Sequence, residues 1–247
     1  IWLAGQPGYK SKISYPDCDY FNPPANDVRI GEACNERDVP TLDQIRHVLA
    51  AMPHSTPIEM RDRAIVAFTV LSGARDNAVA SFNLGHIDLV RRTVHHDART
   101  VRTKNRKSMT TTFFPVGDDI EAIVAEWVHF LRADALFAET DPLFPATLVG
   151  PDGRGVFAPQ GLARKHWTTA DPIRKLFQSA FEGAGLPYCN PHSFRKTLAL
   201  YGQAICRTAE EMKAWSQNLG HEQMMTTFTS YGTIPGFRQT QILNGFA

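Results

Sequence analysis

Three times along this chain a threonine is followed at the third residue by glutamine or glutamate: Thr41 with Gln44, Thr56 with Glu59, and Thr208 with Glu211. Such a pair satisfies two of the backbone N–H groups that a helix start leaves without an internal acceptor, so each pair marks a helix N-terminus. Stops follow at Pro53, Gly73 and Gly220, since proline cannot continue a helix and glycine accepts the left-handed turn that ends one. Asn190-Pro191 and Asp171-Pro172 add two more starts, with proline at the first helical position, and Gly183 and Gly185 close the second of these. From Asp118 to about Asp134, Ile120, Ile123, Val124, Trp127 and Leu131 recur at helical spacing on one side. Shorter helices are expected at Asp76–Phe82 and Glu222–Ser230.

The pattern changes after Gly85. His86–Leu89, Arg92–His96 and Met109–Val116 are β-branched or alternating, which predicts a small antiparallel sheet whose hairpin tip holds Lys104-Asn105-Arg106-Lys107. His95 and His96 adjoin in one of these strands, so their rings face opposite ways, a poor ligand set and an expected surface feature. Residues 140–160, with Pro142, Pro145, Pro151-Asp152-Gly153 and Gly155, read as loop. The expected fold is mainly α with a small antiparallel β-sheet, an α+β architecture. Residues 1–37 carry Pro23-Pro24 and Gly31 without a period and read as a linker or arm. A unit from 38 to 231 follows, then a tail from 232 to 247 whose Ile234, Phe237, Ile242, Leu243 and Phe246 need a partner surface.

Charge narrows the function. The net charge is only +1, but its distribution is uneven. Arg91, Arg92, Arg99, Arg102, Lys104, Arg106 and Lys107 face a lone acid, Asp97, whereas Asp118–Asp141 holds seven acids against Arg132. That segregation suits a molecule with one side attractive to a polyanion. Cys18, Cys34, Cys189 and Cys206 form no Cys-x-x-Cys pair, which points to a reduced, cytoplasmic setting. The longest apolar run, Ala64–Leu71 with Thr69 inside it, is too short to span a bilayer, and no signal-peptide pattern opens the chain. The chain starts at Ile1 without a methionine, as a piece of a longer protein would.

No phosphate loop, dinucleotide fingerprint, His-Glu-x-x-His or Cys/His cluster is present, so neither a nucleotide cofactor nor a metal is expected. No serine sits in a nucleophile elbow. What remains is a supply of cations near glycines, plus a tyrosine. His192 and Arg195 lie three apart and share one helix face, in a first turn whose free N–H groups favour an anion. Tyr231 follows Gly220 by eleven residues. The reading is a phosphate clamp beside a tyrosine nucleophile.

Taken in order, Ser72-Gly73-Ala74-Arg75, the Lys104 hairpin, His192-Ser193-Phe194-Arg195, Leu219-Gly220-His221 and Thr226-Thr227-x-x-x-Tyr231 resemble the catalytic domain of the tyrosine recombinases, or phage integrases. The resemblance spans roughly Thr41 to Tyr231. It implies a site-specific DNA recombinase that breaks and rejoins strands through a covalent 3′-phosphotyrosine, without metal or ATP. Tyr231 would attack the scissile phosphorus. Arg75 and Arg195, as planar forks, suit the non-bridging oxygens, and His221 adds a donor to the same oxygens. His192 would manage the tyrosine proton, and Lys104, or Lys107 on the same hairpin, would protonate the departing 5′-oxygen.

Arg102, Arg106, Lys107, Arg164 and Lys165 are expected to contact the DNA backbone, positioning the duplex without reading sequence. The expected partners are double-stranded DNA at an attachment or recombination site and further copies of the chain, as a tetramer; no membrane partner is expected. Two features depart from the family pattern. Ala78 stands where an acid often follows the first arginine, so Asp76 or a backbone carbonyl is expected to orient Arg75. The His221–Tyr231 interval is one residue longer than usual. The family's N-terminal helical domain is expected to be absent before Thr41. Other outcomes of the same chemistry are a type IB topoisomerase or telomere resolvase; a catalytically inactive DNA-binding regulator and a plain helical interaction module are the remaining readings.

Overall fold

A computed structural model of the chain describes residues 5–9, 12, 24, 27, 39–103, 107–221, 240 and 243–245. Its contacts divide into two compact units, Ile1–Arg37 and Asp38–Ala247. Lys104, Arg106, Tyr231, the expected Glu222–Ser230 helix and most of the tail lie outside the described residues.

The second unit is organised around one helix. Helix α1 (Leu42–Ala51) and helix α2 (Pro57–Ser72) both start in full capping boxes, at Thr41 and Thr56, as their sequences dictate. From Ala64 to Leu71 every residue of α2 is at most 1% exposed. A helix apolar on all sides must be surrounded. The hydroxyls of Thr69 within this run and of Ser72 just after it are tolerated because they donate back to the carbonyls of Ile65 and Phe68, both at 2.7 Å. Around α2 pack α1, the short helix α3 (Asp76–Val79), α4 (Asp118–His129), α5 (Asp171–Gly183) and α6 (Pro191–Ile205). Helix α7 (Ala209–Asn218) then packs on α6, and its Trp215 donates to the Leu198 carbonyl at 2.9 Å. Burying each large side chain of this core contributes on the order of 1.5–3 kcal/mol.

The expected sheet forms with shorter strands. Its order is β1 (Ile87–Asp88), β2 (Thr93–His96), β3 (Met109–Thr112), antiparallel throughout, with Val94 opposite Thr111 and His96 opposite Met109. Phe114, just past β3, donates its N–H to the Leu71 carbonyl at 2.8 Å and so ties the sheet to the end of α2.

Two expectations are corrected. Residues 140–160 are not a plain loop, because β4 (Thr147–Pro151) and β5 (Phe157–Leu162) form an antiparallel hairpin. Its alternation is hidden for two reasons: the hairpin leaves Leu148, Val149 and Phe157 exposed, and Pro159 sits at a register shift beside Val149. Its turn is built on Asp152, whose carboxylate accepts the N–H groups of Arg154 and Val156. Helix α3 stops at Val79 instead of reaching Phe82; the Ser81 hydroxyl donates back to the carbonyls of Asn77 and Ala78.

Candidate active site

Helix α2 ends at Gly73, whose φ of 63° is the left-handed turn that glycine accepts most readily. The chain then turns, and Arg75 becomes the residue that precedes α3. Its guanidinium is half-buried, and burial lowers its pKa. Arg75 makes no side-chain hydrogen bond among the described residues. The expected orienting partner is elsewhere: Asp76 pairs with Arg174 of α5 at 2.7 Å and accepts the Asn77 N–H.

Helix α6 opens as expected. The Asn190 side chain accepts the Ser193 N–H at 3.0 Å and Pro191 takes the first position. His192 is exposed, whereas Arg195, one turn on, is only 4% exposed. Arg195 reaches two other segments. Its Nη1 donates to the Gly73 carbonyl and its Nη2 to the Leu219 carbonyl, both at 2.5 Å, and Nη2 lies 3.2 Å from Nε2 of His221. Gly73 thus serves twice, as the turn that delivers Arg75 and as the acceptor that fixes Arg195.

The third segment is the end of α7. Gly220, with φ 71°, adopts the left-handed conformation, and the N–H of His221 returns to the Ser216 carbonyl at 3.1 Å. This Schellman-type stop throws the His221 side chain back toward α6. Burial, then the charges of Arg195, Arg75 and His192, push the His221 pKa down to about 4. His192, although largely accessible, is shifted in the same direction, first by the desolvation of its ring against the protein and then by Arg195 and Arg75. The neutral imidazole of His221 can therefore accept from Arg195 through Nε2, leaving Nδ1–H as a donor.

Arg75, Arg195 and His221 line a cleft of about 400 Å³ with Arg102, Lys107 and His96. No carboxylate is among its described lining residues. His96 is the residue that the sequence reading placed on the surface. Period-two alternation does send His95 outward, but it sends His96 inward with Val94. His96 is 6% exposed, edge-on to Phe82 with centroids 4.9 Å apart, and its Nε2 lies 3.2 Å from the Thr111 hydroxyl. Burial first, then nearby cations and imidazoles, push its pKa down to about 4.

The outer cations divide. Lys107 lies on the cleft and Lys165 is exposed. Arg102, although it lines the cleft, spends its guanidinium on the carbonyls of Thr168, Ala80 and Trp167. Arg164 pairs with Asp141 at 3.0 Å, donates to the Ala135 carbonyl and stacks over Phe137. The basic run is also partly neutralised by its neighbours, through Arg92 with Glu121 and Arg99 with Asp97. Among the described residues no group of His, Cys, Asp and Glu side chains could hold a metal ion, and no helix is long and apolar enough to cross a membrane.

The model of the Phage integrase family matches residues 39–233. The chain belongs to this family. It is 27% identical over 198 residues to tyrosine recombinase XerD of Neisseria meningitidis serogroup B, covering 78% of this chain and 58% of that protein. To tyrosine recombinase XerC of Alcanivorax borkumensis it is 25% identical over 187 residues, covering 75% and 52%. The chain thus spans a little over half the length of these relatives. Among solved structures, the XerA recombinase shares the fold with a TM-score of 0.60 at 16% identity, over 96% of this chain and 71% of that one. The XerH recombinase in its post-cleavage complex with palindromic difH substrate gives 0.55 at 17% identity, over 85% and 53%. These structures share the fold described above: an integrase catalytic core, largely helical with small antiparallel sheets.

Proposed function

We propose that this chain is the catalytic core of a site-specific DNA recombinase that cuts and rejoins strands through a phosphotyrosine. The observation that carries the reading is the meeting of Arg75, Arg195 and His221, from three separate segments, in one cation-lined cleft with His192 beside it. A phosphodiester entering this cleft would exchange its hydration for preorganised donors. Charge growing on the non-bridging oxygens in the transition state strengthens those contacts more than ground-state binding does. The Tyr231 hydroxyl attacks phosphorus and gives up its proton, which His192, shifted toward its neutral form, is suited to accept. The bond to the 5′-oxygen breaks and that oxygen takes a proton from Lys104 or Lys107. Because a phosphodiester is exchanged for a phosphodiester, bond energy is kept and no ATP is required. Religation is the same path in reverse.

In this reading residues 38–231 are the catalytic domain, and 232–247 pack in cis or on a neighbouring protomer of a DNA-bound tetramer. Lys107 and Lys165, with Arg106, supply backbone contacts. Arg102 and Arg164 contribute charge while acting mainly as internal ties. The test is a nicked suicide duplex carrying the attachment site, offered to the wild type and to Tyr231→Phe. A covalent protein–DNA adduct in the wild type alone supports the reading; an adduct in both removes Tyr231 as nucleophile, and none in either removes the activity.

A further inference from the structure

Asn218 belongs to none of the motifs above, yet it sits between the sheet and the cleft. Its Oδ1 accepts the Thr112 N–H at 2.8 Å and its Nδ2 donates to the Thr112 carbonyl at 2.8 Å. Flipping the amide would set donor against donor and acceptor against acceptor, so the orientation is fixed by the pair. β3 is the last strand of its sheet. One side chain therefore takes the place that the next strand would occupy. Beside it, the Thr111 hydroxyl lies between His96 at 3.2 Å and the Asn218 carbonyl at 3.5 Å.

The residue after Asn218 is Leu219, whose carbonyl holds Arg195, and two further on is His221, which meets the same guanidinium. Other anchors hold the body of α7: Trp215 bonds to α6, and the Gly220 turn bonds back into the helix. Among the described residues, the hydrogen bonds from the 217–221 turn to the sheet all involve Asn218. They set how far the end of α7 stands from β3, and hence where the Leu219 carbonyl and the His221 imidazole meet Arg195.

We infer that Asn218 is a positioning residue of the phosphate site, a clip that fixes the Leu219–His221 turn against β3 so that Arg195 and His221 share one oxygen-binding geometry. The inference rests on reading the cleft as a phosphodiester site. Both clip bonds lie at an exposed edge, where water can replace the lost partner at small cost in stability, but water does not hold a distance. Geometry and stability are therefore separable in Asn218 variants.

The experiment compares Asn218→Ala and Asn218→Asp with Thr208→Ala, which removes the N-cap of the same helix far from the cleft. Three quantities are read: thermal midpoint, the His221 pKa by NMR without DNA, and single-turnover cleavage of the nicked duplex with either an ordinary or a sulfur-bridged 5′ leaving group. Cleavage by Asn218→Ala is expected to fall by about 10–10², with Asn218→Asp at least as low, because its carboxylate faces the Thr112 carbonyl. His221 should move from about 4 toward its ordinary 6.5. Sulfur in the leaving group, which needs no proton, should not restore the rate. Thr208→Ala should lower the thermal midpoint at least as much while leaving the His221 pKa unmoved.

Asn218 variants that keep the wild-type rate and His221 pKa overturn the inference. So does rescue by sulfur, which would assign Asn218 to proton delivery, and so does a Thr208→Ala that reproduces the full pattern. If the wild type itself makes no adduct, the recombinase reading fails, while the His221 pKa still decides whether the clip holds the turn.

Discussion

Helix α2 has an arginine near each end, and the two differ in every respect that matters. Arg61, in the first turns, is 2% exposed. It pairs with Asp62 at 2.6 Å, donates to the Pro145 carbonyl and the Thr147 hydroxyl at 3.0 Å, and lies 4.7 Å from the centre of the Trp167 ring. Its donors are spoken for, and its cation, at the helix end that disfavours one, is offset by a carboxylate. Arg75, just past the other end, is half-buried with its pKa lowered and makes no side-chain hydrogen bond among the described residues. The nearest acid in sequence, Asp76, is committed to Arg174. Arg61, with its donors satisfied, serves the architecture; Arg75, desolvated and without a side-chain hydrogen bond among the described residues, keeps donors that a ligand could take.

The contrast is sharpest in substitutions. Arg61→Ala strands Asp62 in a site where burial already raises the carboxyl pKa, and should cost about 3–5 kcal/mol in denaturant titration. Arg75→Ala should leave stability within about 0.5 kcal/mol yet lower single-turnover cleavage by about 10²–10³. If Arg75→Ala unfolds the chain, or Arg61→Ala folds normally without activity, the distinction collapses.

A smaller effect is expected with pH. The His96 pKa is depressed in the fold, from 6.5 to about 4, so the stability it contributes is fully present above about 6.5 and is lost as pH falls toward 4. Each unit corresponds to about 1.4 kcal/mol, giving a loss on the order of 3 kcal/mol near pH 4. His221 adds in the same direction but less, being more exposed. Urea titrations at several pH values should show His96→Gln flattening this acid slope; an unchanged slope would remove His96 from the buried, neutral state assigned to it. Smallest of all, Arg174→Ala breaks two solvent-accessible pairs, to Asp76 and Asp171, and should change stability by about 1 kcal/mol or less, with cleavage scarcely altered, since Asp76 does not orient Arg75.

How much of this was legible in the residues follows from how local each signal is. Thr41, Thr56, Thr208 and Asn190 act on N–H groups within three residues, so their helices stand where the sequence puts them. Gly73 and Gly220 mark turns for the same reason. The 147–162 hairpin is not legible in the sequence because its strands face solvent and carry prolines, so no alternation betrays them. His96 was legible in principle: alternation with Val94 gives its direction, but only the fold reveals that this direction is the cleft. Arg102 and Arg164 look like free cations in a sequence, and the carbonyls and Asp141 that engage them are remote in the chain. Asn218 gave no signal, because its partner strand lies 106 residues away.

The proposed chemistry requires the two guanidiniums and His221 to close on one phosphate. The direct measurement is a structure of Tyr231→Phe bound to an intact attachment-site duplex. The account predicts non-bridging oxygens of a single phosphate within about 3 Å of Arg75, Arg195 and His221, with residue 231 facing the same phosphorus. A duplex bound on another face, or Arg75 and Arg195 on different phosphates, would contradict it.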